Sequence, residues 1–178
     1  MSSSDRGAKR IARLLDALIA DYPRRKREYE RAFTDLGLPC ASELHVGPPE
    51  QVAKLPTFDR KKTRPVTPML AGRYAYAGVW QMDVDVWLPP SGMGPEMQKR
   101  VVRRIHDSLR EHWEGSAPMA YPDDRLTLFG VTDGVPDALT YLVWRQDGHE
   151  PEVWAYSGQY DHKFRHLEEF IRWQLERE

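Results

Sequence analysis

Apolar residues at Ile11, Leu14, Leu15, Leu18 and Ile19 recur at helical spacing, so roughly 5–21 is expected to form an amphipathic helix. Pro23 should break it and begin a second helical segment at an angle, Pro23–Leu36, closed by Gly37 as a C-cap. Tyr29, Phe33 and Leu36 form the apolar side of that segment, away from the run Arg24-Arg25-Lys26-Arg27. From 38 to 72 the pattern fades. Pro39, Pro48, Pro49, Pro56, Pro65 and Pro68 punctuate the chain, and only Pro49–Leu55 suggests a short helix among loop and edge strand. Tyr74–Leu88 is aromatic and β-branched. Within it Gln81–Trp87 alternates, with Met82, Val84 and Val86 on one face and Asp83 and Asp85 on the other, as a half-buried strand does.

Pro89-Pro90 stops that strand, and Ser91–Gly94 reads as a loop. Pro95 then opens a helix to about Glu114, with Met97, Val101, Ile105, Leu109 and Trp113 (or His112) on its apolar face. Its other side is basic: Lys99, Arg100, Arg103, Arg104 and Arg110. Three strand-like runs follow, Arg125–Thr132, Ala138–Arg145 and Glu152–Ser157. They are separated by the turn signals Asp133-Gly134, Pro136-Asp137 and Asp147-Gly148. A closing helix over Lys163–Arg177 carries the stripe Phe164, Leu167, Ile171 and Leu175, widened by Phe170. The order predicts an α+β fold: N-terminal helices, a mixed sheet ending in an antiparallel three-strand meander, and a C-terminal helix. A single domain is expected over 1–178, with a basic helical segment at 1–36, an irregular proline-rich segment at 38–72, and the sheet and helices at 73–178.

Composition narrows the class. The 178 residues include six tryptophans and eight tyrosines, too many for a disordered tail protein. Apolar runs stop at four or five residues, far short of the ~18 that span a bilayer, so no membrane association is expected. The first apolar stretch sits behind Arg10 and is broken by Arg13 and Asp16, unlike a secretory signal. The single cysteine, Cys40, excludes an internal disulfide framework, and the expectation is a soluble protein of a reducing cytoplasm. The net charge of −1 is unevenly spread: residues 1–31 carry +4, 32–118 carry +1 and 119–178 carry −6. The acidic end favours a basic protein as partner and disfavours nucleic acid.

The motifs for chemistry are sparse. Gly92-Met93-Gly94 lacks the third glycine of a dinucleotide turn, and no phosphate loop follows a strand. His162 and His166 are four apart and would share a helical face, but no glutamate base lies between them. Asp83 and Asp85, on one strand face, would suit a Mg²⁺-dependent hydrolase, since paired carboxylates bridge a hard cation; they equally suit a solvated strand. No local signature makes Cys40 a nucleophile. The basic helices at 23–36 and 95–114 allow a nucleic-acid-associated regulator, against a sequence isoelectric point near 6.6.

One stretch carries more. From Leu126 the chain reads Leu-Thr-Leu-Phe-Gly-Val-Thr-Asp-Gly-Val-Pro-Asp-Ala-Leu-Thr-Tyr-Leu-Val-Trp, then Glu152-Val153-Trp154-Ala155-Tyr156, and later Phe164 and Leu167–Ile171. These 50 or so residues resemble the closing half of SUKH-superfamily domains, the family of yeast cell-wall regulators and bacterial toxin-immunity proteins. Phe129-Gly130 stands at the family's strand end, Asp133-Gly134 in its acidic loop, and Leu167–Ile171 in its last helix; Pro136-Asp137 replaces the usual Gly-Asp, and Leu38-Pro39 or Leu55-Pro56 stands for the early Leu-Pro. The resemblance implies a cytoplasmic, non-enzymatic immunity protein, without cofactor or metal, that binds and neutralises a cognate toxin. On strand 152–157, Val153 and Ala155 are assigned to the core, and Glu152, Trp154 and Tyr156 to the other face. That face is either accessible, as a protein-binding surface, or packed beneath a flanking helix. With Asp133 and Asp137 in the preceding turn and Tyr160 and Asp161 in the next loop, these seven residues are the candidate contacts.

Overall fold

The computed structural model describes residues 3–37, 42–133, 135–157 and 160–176, except the side chains of 3, 4, 135–137 and 157. Leu38, Pro39, Cys40, Gly134 and Gly158, and the side chains of Pro136 and Asp137, therefore lie outside the described residues. The first element is α1, Ser3–Asp35, a continuous helix with Pro23 inside it rather than two segments. Proline removes one N–H. The turns around it are tied by Arg24 and Arg25 to Asp21 at 2.8 and 2.7 Å and by Arg24 to Glu28 at 2.9 Å. Gly37, at φ 68°, supplies the left-handed residue after the last turn, as expected.

The proline-rich segment contains three short strands, β1 (Leu44–Val46), β2 (Lys54–Pro56) and β3 (Thr63–Pro65), and then α2 (Pro68–Tyr76), begun by a proline at its first turn. No helix forms over 49–55; Tyr74 and Tyr76 are helical, not extended. The predicted strand 81–87 is a hairpin of β4 (Trp80–Met82) and β5 (Asp85–Trp87). Asp83 takes φ 56°, a positive value that an aspartate tolerates better than most residues, and the chain reverses there. Ser91–Gly94, expected as a loop, belongs to α3 (Pro90–Gln98), and the helix expected from Pro95 to about Glu114 is broken at Lys99, beyond which α4 (Arg100–His112) begins. After α5 (Ala117–Ala120) come β6 (Leu126–Thr132), β7 (Val135–Val143), β8 (Glu152–Ser157), β9 (Tyr160–Phe164) and α6 (Leu167–Glu176).

The α+β class is as expected, with a helix at each end. The main sheet has seven strands in the order β1-β4-β5-β6-β7-β8-β9, and every pairing is antiparallel, so the sheet is not mixed. β9 adds a fourth strand to the predicted meander. Residues 160–164 alternate between the sheet faces, and only Phe164 is buried, so their sequence carries little of a strand's apolar signal. His162 thus lies on a strand and His166 beyond it, not on one helical face.

The sheet is covered on both sides. α1, α2 and α6 form one layer, where Ile11, Leu15 and Leu18 are wholly buried and Trp87 meets Phe129 and Phe170 at ring separations of 5.7 and 5.3 Å. α3, α4 and α5 form the other, over Tyr141 and Tyr156. Among the described residues no helix is long and apolar enough to cross a membrane.

Candidate functional site: a groove on the sheet

Two of the seven predicted contact residues prove to be core. Trp154 is 5% exposed and Tyr156 2%. The α4–α5 layer covers them: Trp154 meets the edge of Tyr121 at 5.8 Å, and Tyr156 meets Trp113 at 5.6 Å. The Tyr156 hydroxyl accepts the backbone N–H of Ala117 at 2.7 Å, and burial raises its pKa. Glu152 is half-buried; it accepts Trp154 Nε1–H at 2.8 Å and pairs with Arg145 at 2.9 Å. The accessible-face reading of this strand therefore fails for its aromatics, because a second helical layer occupies that side.

Asp133, Tyr160 and Asp161 are exposed, Tyr160 at 73%. Asp133 follows β6, where its backbone N–H donates to the Val84 carbonyl at 2.6 Å. Asp161 pairs with Lys163 at 3.2 Å, on the α5 side of β9. Asp137 lies within β7, its side chain outside the described residues.

Tyr160 stands at one end of an open groove of about 440 Å³ on the other face of the sheet. Asp85, Thr132, Thr140 and Ala155 line its floor, with His162 at the β9 side and Trp173 on its α6 wall. A second hollow of about 320 Å³ continues it, between α1 at Arg25, Glu28 and Tyr29 and the β4–β5 turn. Val84, Asp85 and Gln174 line both, so the two hollows adjoin and together make up a channel. Its walls are anchored. Arg25 donates to the Gln174 carbonyl, tying α1 to α6, and Thr132 Oγ1–H donates to Asp85 Oδ1 at 2.8 Å across paired strands. His162 packs on Trp173 at 4.7 Å.

Sequence reasoning missed Asp85 in this role, along with Thr132, Thr140 and Trp173. A cross-strand contact has no local signal. Polar threonines within the otherwise apolar runs 126–132 and 135–143 are the trace it leaves, since buried strand faces rarely keep hydroxyls without use.

The metal reading fails on geometry. Asp83 lies in the turn and accepts Ser42 Oγ–H, while Asp85 is occupied with Thr132, so the two do not share a strand face. Among the described residues no group of three or more His, Cys, Asp or Glu is placed to hold an ion. The basic helices are largely engaged within the chain. Arg24 and Arg25 pair as above, Arg110 pairs with Asp123, and Arg103 donates to the carbonyls of Met97 and Phe58 at 2.9 and 3.0 Å.

One cluster looks catalytic on paper. His106 Nε2 is 3.0 Å from Asp123 Oδ1, and Nδ1 is 3.3 Å from the Tyr141 hydroxyl. Burial pushes the imidazole below its ordinary value against the pull of Asp123, so it is neutral near pH 7. Burial works upward on Asp123, but Arg110 and His106 outweigh it and hold the carboxyl low. Burial raises Tyr141 well above the usual phenol range, and both Tyr141 and His106 are fully buried. The ring of Phe58 stacks on His106 at 3.9 Å and seals it. The arrangement cross-ties α4, β7 and the turn at Asp123; it presents no nucleophile to solvent.

Compared with family models, with curated proteins and with solved structures, the chain matches none.

Proposed function

We propose that the chain is a non-enzymatic immunity-type protein of the SUKH superfamily, and that it neutralises a basic toxin by occupying it at the groove. The observation that carries this reading is the open channel on the α6 face of the sheet, with Asp85 in its floor and Tyr160 and Trp173 beside it. The Asp85 carboxylate accepts from Thr132 across the paired strands, which fixes it in the floor. A lysine or arginine entering the channel would meet that carboxylate and the aromatic faces together, and cations favour both. The excess of acidic residues over 119–178 would speed encounter with such a partner.

The deciding measurement is a titration of the chain against the product of a neighbouring gene, where that product is toxic, read by the toxin's own activity. Inhibition complete at one chain per toxin supports the reading. Inhibition that persists at strongly substoichiometric amounts, or none at equimolar amounts, overturns it.

A further inference from the structure

β9 is an edge strand. β8 fills its inner side and α6 lies across one face, and among the described residues the sheet ends there. An edge presents alternate N–H and C=O groups ready for another strand. At the opposite edge β1 has three residues; β9 has five, and their sequence is Tyr160-Asp161-His162-Lys163-Phe164. Read against itself in antiparallel fashion and centred on His162, this sequence is self-complementary. Tyr160 meets Phe164, His162 meets His162, and Asp161 meets Lys163 on both sides of the centre. Pairing centred on a residue, rather than between two, sets outward-facing backbone groups against outward-facing ones, as an antiparallel ladder needs.

We propose that β9 is a homodimer edge: two copies of the chain join by antiparallel β9–β9 pairing about His162. Residues directly opposite in such a pair point to the same face. Asp161 and Lys163 of the two copies would then form an alternating quartet of charges on the α5 face. Lysine on an edge strand commonly guards against pairing. Here Lys163 lies over its own protomer, with Nζ 4.2 Å from the Trp154 ring centre and 3.1 Å from the Gly115 carbonyl, so in the single chain the ammonium does not block the edge; pairing requires the flexible side chain to swing from there to Asp161 of the second copy. The pairing uses groups in the plane of the sheet. It sets Phe164 of the second copy beside Tyr160 at the end of the groove, but its test reads the mass of the chain alone, without any toxin, and so stands or falls apart from the toxin reading.

Two five-residue edges bury well under the ~1,200 Å² of a standard interface, so the dimer should be weak and concentration-dependent. Sedimentation equilibrium of the full chain from about 10 μM to about 1 mM measures it. The mass should rise from one chain towards two. Lys163→Glu sets like charges opposite each other twice per interface and should raise the dissociation constant about tenfold or more. The double variant Asp161→Lys/Lys163→Asp restores both pairs and should restore the dimer, with thermal melting reporting that all variants fold.

Register is read by cysteine in a Cys40→Ser background. His162→Cys places two cysteines opposite each other within disulfide reach, and oxidation should link the chains. Tyr160→Cys places them about 14 Å apart and should not link. A single-chain mass at every concentration overturns the proposal. So does a dimer that ignores the charge variants, or one that crosslinks through 160 as readily as through 162.

Discussion

Arg73 is wholly buried, and among the described residues its Nε and Nη2 have no hydrogen-bond partner. Nη1 donates to the Ala77 carbonyl, and the rings of Tyr74 and Trp87 flank the guanidinium with centres 5.6 Å away. Burial brings its pKa down to about 10, so it is still a cation at pH 7. A desolvated charge with one acceptor and two aromatic faces returns little of its hydration. Arg73→Met, of similar length, should therefore be neutral or stabilising by up to about 3 kcal/mol in urea unfolding, while Arg73→Ala, which leaves a cavity, should destabilise. A large loss for the methionine variant would show that the cation is worth more than its contacts indicate. His106 gives a pH signature. Its folded pKa is depressed, and the unfolded chain takes the proton near pH 6.5. The stability it holds above pH 6.5 is lost as pH falls towards the folded value. Asp123 is also depressed, and its contribution, present above about pH 4, is lost lower still. The urea midpoint should fall between pH 7.5 and pH 5 for the native chain, and by less for His106→Gln.

The elements show where a single sequence is legible. β6 and β8 are foreseeable because a run such as Leu126-Thr127-Leu128-Phe129 is buried throughout; α6 is foreseeable from Leu167, Phe170 and Ile171, but it starts at Leu167, and Lys163 and Phe164, expected in it, lie on β9. Errors fall where a tertiary contact overrides the local pattern. Pro23 is an exception, since it sits inside α1 among local i,i+3 and i,i+4 ion pairs that span the neighbouring turns. Asp83–Asp85 alternates like a strand, yet Asp83 turns the chain while Ser42, from a distant segment, binds its carboxylate. Gly92 and Gly94 looked like a loop but form α3, whose Met93 and Met97 are buried. The predicted site suffers the same way: Trp154 and Tyr156 alternate as forecast, and only the α4–α5 layer decides that their face is closed. The contact between α1 and α2 makes a sharp test of element packing. A Cβ added at Gly72 would lie 2.5 Å from Ala8 Cα and 2.9 Å from its carbonyl oxygen. These are backbone atoms, so no rotamer change relieves them. Gly72→Ala should cost about 1–3 kcal/mol through the forced separation of the helices, measured as a lower unfolding midpoint with native circular dichroism below it.

At the scale of the whole molecule, both helical layers bury one face of the sheet, yet the α6 layer leaves a channel open between α1, the β4–β5 turn and β9. The floor of this opening is polar, with Thr132 donating to Asp85 across the paired strands. If the channel receives a basic segment, its two kinds of contact should separate in experiment. Tyr160 is mostly exposed, and its removal should leave folding stability within about 0.5 kcal/mol of the native chain. As an aromatic contact it should nonetheless matter to binding: Tyr160→Ala should weaken toxin inhibition about thirtyfold, chiefly through faster dissociation. Asp85→Asn keeps an acceptor for Thr132 but removes the charge. It should slow association and flatten the dependence of the association rate on salt, because the long-range attraction falls with ionic strength. Stopped-flow binding at about 20 and about 300 mM salt reads both effects. A native salt slope in Asp85→Asn, together with unchanged dissociation in Tyr160→Ala, would move the toxin's contact to another surface of the chain.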